Sequence, residues 1–265
     1  MAGYFKELLA SGRVIRVFCA GRLVHPVTVQ MFGRAGGFDG FWLDQEHAGL
    51  STEQITMAAL AGRAMGLGSF VRMPVTNYAA VTQSLESGVD GVMAAQVTGV
   101  QEAEQFVRWS KFAPRGIRGA NVQGSDADFT HKSLGELAVS ANRDHFVAIQ
   151  IETLAAVDQC DQIAAIDGVD LLFVGPSDLS QALGVLGERD HPKVWGAIDR
   201  VAEACKKQGK AWGIVPADAR YAARCIEKGC RMITAGNDVL AMRLGIEAIK
   251  TAYRELFAVE SDQPA

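Results

Sequence analysis

The chain has 265 residues, 49% hydrophobic and 21% charged, with a formal net charge of −4. That length fits one large domain or two small ones, and the acidic balance without a basic block speaks against a nucleic-acid surface. No apolar run reaches the roughly 18 to 20 residues that span a bilayer.

The N-terminus, MAGYFKELLASGRVIRV, reads as a short amphipathic helix, a turn and a strand, without the layout of a signal peptide. Apolar runs then recur in chain order: VIRVFC from Val14, FDGFWLD from Phe38, SFVRM from Ser69 and DGVMAA from Asp90. The second half supplies VAIQIE from Val147, VDLLFVG from Val169, AWGIV from Ala211 and RMITAG from Arg231. These runs are near-continuously apolar, as strands buried on both faces should be. Amphipathic stretches separate them. Ser51 with Gln54 resembles a capping box, and Asn77, Pro176 and Pro216 stand at other expected helix entries.

Eight strands alternating with helices predict an α/β fold, a (β/α)₈ barrel in one domain over residues 1–265. An open doubly wound sheet is the rival, and it usually holds fewer strands at this length. Residues 110–145 break the rhythm with a Gly-, Asn- and Asp-rich excursion, expected on the functional C-terminal face. The last helix, 237–256, carries a broad apolar face that can pack on its own barrel or on a neighbour's. The tail VESDQPA is polar and expected to fray. Five cysteines (19, 160, 205, 225 and 230) form no C-x-x-C pair, which suits free thiols in a cytoplasmic protein.

Polar residues end several strands, where barrel enzymes place their chemistry. Asp44-Gln45-Glu46-His47 follows the second, Arg72 ends the third, Gln150-Ile151-Glu152 the fifth and Gly175-Pro176-Ser177-Asp178 the sixth. A carboxylate closing an apolar strand needs a cation or hydrogen-bond donors. Glu152 and Asp178 together make a hard oxygen site suited to Mg²⁺ or Mn²⁺; a salt bridge and a helix cap are the plainer alternatives. His47 is either a packed or surface residue or a proton carrier near neutral pH. Arg72 offers a fork of donors to a carboxylate or oxyanion, or an ion pair to Asp44 or Glu46; these roles are compatible. No lysine ends a strand, which disfavours a Schiff-base aldolase, and neither a P-loop nor G-x-G-x-x-G is present. Gly-Asn after the eighth strand is a weak phosphate signal.

The segments LDQEH at 43–47, VRMP at 71–74, APRGIRG at 113–119, QIE at 150–152 and FVGPSDLSQALG at 173–184 resemble the HpcH/HpaI aldolase family. These class II pyruvate aldolases are related to 4-hydroxy-2-oxoheptanedioate aldolase. The resemblance covers roughly residues 4 to 255. It implies Glu152 and Asp178 as ligands of a divalent ion (Mg²⁺, Mn²⁺ or Co²⁺), His47 as acid/base and Arg72 as enolate-stabilising cation. It further implies that Gln150 faces the substrate's oxo group or a metal-bound water, that backbone around Gly175, Pro176 and Ser177 holds the pyruvate carboxylate, and that Asp44 orients His47 or Arg72. A small-molecule 2-oxo acid and an aldehyde are the implied partners, and a homo-oligomer, a hexamer, the implied assembly.

Three departures stand out. Glu86, in SLESG, replaces a family aspartate that pairs with the histidine; strand 4 ends MAAQV, and the loop GANVQGSDADF is its own. The last two regions are expected to shape the aldehyde side. An acyl-CoA lyase or an oxaloacetate decarboxylase is the nearest alternative. A non-catalytic barrel is the more remote one, because the carboxylates and histidine are all kept.

Overall fold

The computed structural model describes residues 3–257. The first half runs α1 (Tyr4–Ala10), β1 (Ile15–Ala20), α2 (Pro26–Ala35), β2 (Gly40–Asp44), α3 (Thr52–Ala64), β3 (Gly68–Pro74), α4 (Tyr78–Glu86), β4 (Gly91–Ala95) and α5 (Val100–Ser110). There follow α6 (Leu134–Asp144), β5 (Phe146–Ile151), α7 (Leu154–Asp158), α8 (Cys160–Ala165), β6 (Leu171–Val174), α9 (Pro176–Ala182) and α10 (Pro192–Gln208). The chain closes with β7 (Ala211–Ile214), α11 (Ala219–Glu227), β8 (Met232–Asn237), α12 (Asp238–Ala252) and α13 (Arg254–Phe257). The strands form one closed barrel in sequence order, β8 pairing in parallel with β1. The fold is therefore the (β/α)₈ barrel that the alternation of apolar runs and helices implies.

Side-chain alternation along each strand sorts the residues into two cores. Phe18, Leu43, Val71, Val92, Ile149, Ile151 and Val174 face outward, into the layer under the helices. Ile15, Val17, Trp42, Phe70, Met93, Phe146, Ala148, Leu171, Phe173 and Met232 fill the barrel itself. The lower end is plugged by Phe5 of α1, its ring 5.4 Å from both Phe70 and Phe146. Gly68 makes room for it, since a Cβ there would lie 2.8 Å from the Phe5 ring.

Local signals explain most helix starts. Ser51 and Gln54 form a reciprocal capping box, Asn77 caps α4 and Pro176 is the first residue of α9. The expected entry at Pro216 is corrected: Asp218 caps α11, its carboxylate accepting from Tyr221 N at 2.8 Å. Asn237 also caps α12, accepting from Leu240 N at 2.7 Å, so its side chain is committed to the helix.

The excursion at 110–145 lies at the opposite end from the one expected. It follows α5, which runs antiparallel to the strands and returns the chain to their N-terminal ends before the excursion begins. There Lys111 Nζ donates to the carbonyls of Asn142 (3.0 Å) and His145 (2.8 Å), just before β5. Its second half is helix α6, started by a capping box of Ser133 with Glu136. Within one chain the GANVQGSDADF segment packs outside the barrel and does not line the mouth.

All five thiols are free. No helix among the described residues is long and apolar enough to cross a membrane. The expectation for VESDQPA concerns residues outside those described.

Candidate active site

The alternation that buries Trp42 inside β2 places Asp44 two residues above it on the same face. Arg72 stands beside Asp44 because the two are register partners across β2 and β3. Arg72 Nη2 donates to Asp44 Oδ2 at 2.8 Å and Nε to Oδ1 at 3.2 Å, while Nη1 lies 3.1 Å from Glu46 Oε2. The guanidinium lies over the Trp42 ring, 4.7 Å from its centroid, and Trp42 Nε1 donates to Thr234 Oγ1 of β8 at 3.1 Å. Burial opposes the charge on Arg72, but Asp44, Glu46 and Glu152 outweigh it and raise its pKa. A fixed cation thus stands at the C-terminal ends of the strands.

Asp44 Oδ1 also accepts from the backbone N–H groups of Glu46 (3.0 Å) and His47 (3.3 Å), which folds the turn after β2. His47 emerges from that turn with its side chain 56% exposed and Nε2 3.8 Å from Glu46 Oε2. It faces solvent where a substrate would enter.

On β5 the same parity points Gln150 and Glu152 inward, above Phe146 and Ala148. Glu152 is 1% exposed. Its Oε1 accepts from Gln96 N at 2.9 Å and its Oε2 from Gln150 Nε2 at 2.5 Å. Burial pushes this carboxyl up to about 7; Glu46 and Asp178 reinforce the shift, against the Gln96 hydrogen bond and Arg72. Gln150 Oε1 is buried without a hydrogen-bond partner among the described residues. Gly175 permits the arrangement, because a Cβ there would collide with Glu152 Oε2 and Gln150 Nε2. Asp178 follows, half-buried in the first turn of α9.

These features suit a hard divalent ion. Glu152 carries a charge that burial disfavours and a cation would restore, Gln150 Oε1 is an unused oxygen beside it, and Asp178 adds a second carboxylate. Among the described residues no set of three or more His, Cys, Asp or Glu side chains gathers as a metal centre, so these side chains alone would not close a shell.

Most of the expected site is brought together: Asp44, His47, Arg72, Gln150, Glu152, Gly175, Pro176, Ser177 and Asp178 all stand at the C-terminal ends of β2, β3, β5 and β6. Ser177 has its hydroxyl engaged, Oγ accepting from Arg189 Nη2 at 2.7 Å. Glu86 does not join them within the chain. It ends α4, near the N-terminal end of β4, and accepts from Asn121 Nδ2 at 3.0 Å. Whether it pairs with His47 was open in the sequence; inside one protomer it does not, because α4 carries it down the outside of the barrel.

Sequence reasoning missed Trp42 and Thr234, which support Arg72, and Gln96, which holds Glu152. Alternation gives Trp42 once Asp44 is known to face inward; nothing in the sequence marks the other two.

A closed (β/α)₈ barrel with an arginine and inward carboxylates at the C-terminal strand ends defines a class, the barrel enzymes that react at the strand ends. The particular family follows from comparison. Residues 23–243 match the profile described as HpcH/HpaI aldolase/citrate lyase, and the chain belongs to that family. It is 34% identical over 260 residues to the 5-keto-4-deoxy-D-glucarate aldolase of Enterobacter sp. (strain 638), covering 95% of this chain and 96% of the relative. The enzyme of that name from Escherichia coli (strain SE11) is 35% identical over 262 residues, with the same coverage. Among solved structures, the HpcH/HpaI aldolase from Desulfitobacterium hafniense DCB-2 superposes with a TM-score of 0.86 at 31% identity, covering 94% of this chain and 97% of that one. The protein is accordingly an aldolase-type carbon–carbon lyase.

Proposed function

We propose that this enzyme reversibly cleaves 4-hydroxy-2-oxo acids to pyruvate and an aldehyde, as a class II aldolase that uses Mg²⁺, Mn²⁺ or Co²⁺ held by Glu152 and Asp178. The observation that carries the reading is Glu152: a buried inward carboxylate, raised to about 7, beside an unpartnered amide oxygen and opposite a fixed arginine. Bound there, the ion supplies Lewis acidity toward a 2-oxo acid.

The chain's own residues do the rest. Gln150 and the backbone around Gly175 to Ser177 orient the oxo acid. Arg72, fixed by Asp44 and Trp42, places positive charge where negative charge develops on the 2-oxo oxygen as the C3–C4 bond breaks. His47, exposed at the mouth, takes the 4-hydroxyl proton during cleavage and returns one in synthesis. The relatives act on 5-keto-4-deoxy-D-glucarate by name, and that acid is the first substrate to assay.

The exposed α12 supports a homo-oligomer, a hexamer in this reading, and the free thiols support a cytoplasmic setting. The test is pyruvate release from racemic 4-hydroxy-2-oxo acids, with and without EDTA and added Mg²⁺ or Mn²⁺. Release that vanishes with EDTA and returns with metal is the expected result. Release unaffected by EDTA, or a pyruvate–lysine adduct after borohydride, would overturn the metal reading.

A further inference from the structure

Gln96 follows β4 directly, and its φ is 54°, the left-handed region that residues with a side chain enter only at a cost. The other non-glycine residues with positive φ among those described, Asp128, Phe129 and Thr130, lie in the excursion at the far end of the barrel. At Gln96 the chain turns off the strand direction where it meets Glu152, and its backbone N–H donates to Glu152 Oε1 at 2.9 Å.

Two neighbouring hydrogen bonds hold the turn. Thr153 Oγ1 donates to the Val97 carbonyl at 2.8 Å, and Val100 N donates to Gln159 Oε1 at 3.1 Å. The segment after β4 is thereby fastened to the segment after β5 at two points just beyond the carboxylate.

The terminal torsion of a glutamate is broad and roughly two-fold, so rotamer preference alone does not set the plane of its carboxylate. External donors must do so. Glu152 has one on each oxygen, Gln150 Nε2 on Oε2 and the Gln96 N–H on Oε1. A flexible side chain supplies the first; a strained but fastened backbone supplies the second.

We propose that Gln96 is a positioning residue whose left-handed backbone fixes the orientation in which Glu152 meets its divalent ion. The inference rests on the reading of Glu152 as a metal ligand. What it requires at position 96 is a conformation. Glycine, which adopts positive φ freely, and asparagine, which tolerates it, should preserve the N–H; a β-branched residue should withdraw it.

The experiment is Mn²⁺ binding to the full-length protein, read from the paramagnetic resonance of free Mn²⁺, for the wild type and the variants Gln96→Gly, Gln96→Asn and Gln96→Val. Outer hydrogen-bond partners of metal ligands typically carry about 10- to 100-fold in affinity. Gln96→Val should weaken binding about 10-fold or more, whereas Gln96→Gly and Gln96→Asn should stay within about 3-fold of the wild type. If Gln96→Val does not fold, Gln96→Ala set against Gln96→Gly makes the same comparison with less crowding.

Equal affinity in the glycine and valine variants, or equal loss in both, would overturn the proposal. Glu152→Gln separates the two levels of argument. If the wild type binds Mn²⁺ and Glu152→Gln does not, failure of the glycine–valine contrast sinks only the role of Gln96. If Glu152→Gln binds as well as the wild type, the ligand assignment falls and the proposal with it.

Discussion

Arg72 makes two hydrogen bonds to Asp44, stands beside Glu46 and lies over Trp42. Only a planar guanidinium satisfies all three at once. Arg72→Lys keeps the charge and loses the fork, so turnover should fall about 10²-fold while the far-UV spectrum is unchanged. Steady-state pyruvate release measures this, and near-normal kcat would remove Arg72 from the mechanism. His47→Ala should lose about 10²-fold in kcat, with unchanged thermal stability because its side chain is largely exposed. The polar strand ends made Arg72 and Glu152 legible in the sequence. Trp42 was hidden within FDGFWLD, where three consecutive apolar residues, Phe41 to Leu43, do not declare which of them face inward.

At the level of single elements, α1 closes the barrel chiefly through Phe5, with Leu8 and Leu9 packed beside it. Phe5 is 1% exposed and packs against Phe70 and Phe146, so Phe5→Ala should cost about 3–5 kcal/mol in chemical denaturation. A cost below about 1 kcal/mol would mean that the lower core collapses around the gap. The junction of α6 with β5 carries a different dependence. Burial, with Arg118 and Lys111 nearby, holds the His145 pKa well below 6.5. The unfolded chain therefore binds a proton there before the folded one does. Stability contributed by neutral His145 is complete above about pH 6.5 and declines as the pH falls toward the depressed folded value. His145→Gln should flatten the stability profile below about pH 6.5, and an unchanged profile would exclude this source. The excursion containing this junction looked in sequence like an active-site loop. Composition marked it as irregular, but only the antiparallel return of α5 decided which end of the barrel receives it.

Across the whole molecule, α12 is the long helix with least cover from its own barrel. Among its residues only Asp238 is buried, while Val239, Met242, Leu244, Ile246 and Ile249 are 47–57% exposed. Asp238 fastens the start of the helix, its Oδ2 accepting from the N–H groups of Gly21, Arg22 and Leu23 at 2.7–3.0 Å. Beyond it the apolar surface leaves the barrel, as expected of an interface between subunits. Leu244→Glu with Ile246→Glu should lower the mass measured by light scattering without unfolding the barrel. An unchanged mass would exclude α12 from assembly.

The sequence by itself determined the periodicity: eight apolar runs buried on both faces, spaced by amphipathic helices, allow few arrangements other than a closed parallel barrel. It also determined the chemical inventory, because a charged residue ending an apolar strand must meet a partner or remain at a mouth. The tertiary structure decided adjacency. Closing the barrel set the register that joins Asp44 to Arg72, and the turn after β4 brought a backbone N–H of Gln96 to Glu152 from 56 residues away. It also carried Glu86 down the outside, away from His47. Those contacts depend on strand stagger and loop direction, which arise from packing the whole chain and leave no local mark in the sequence.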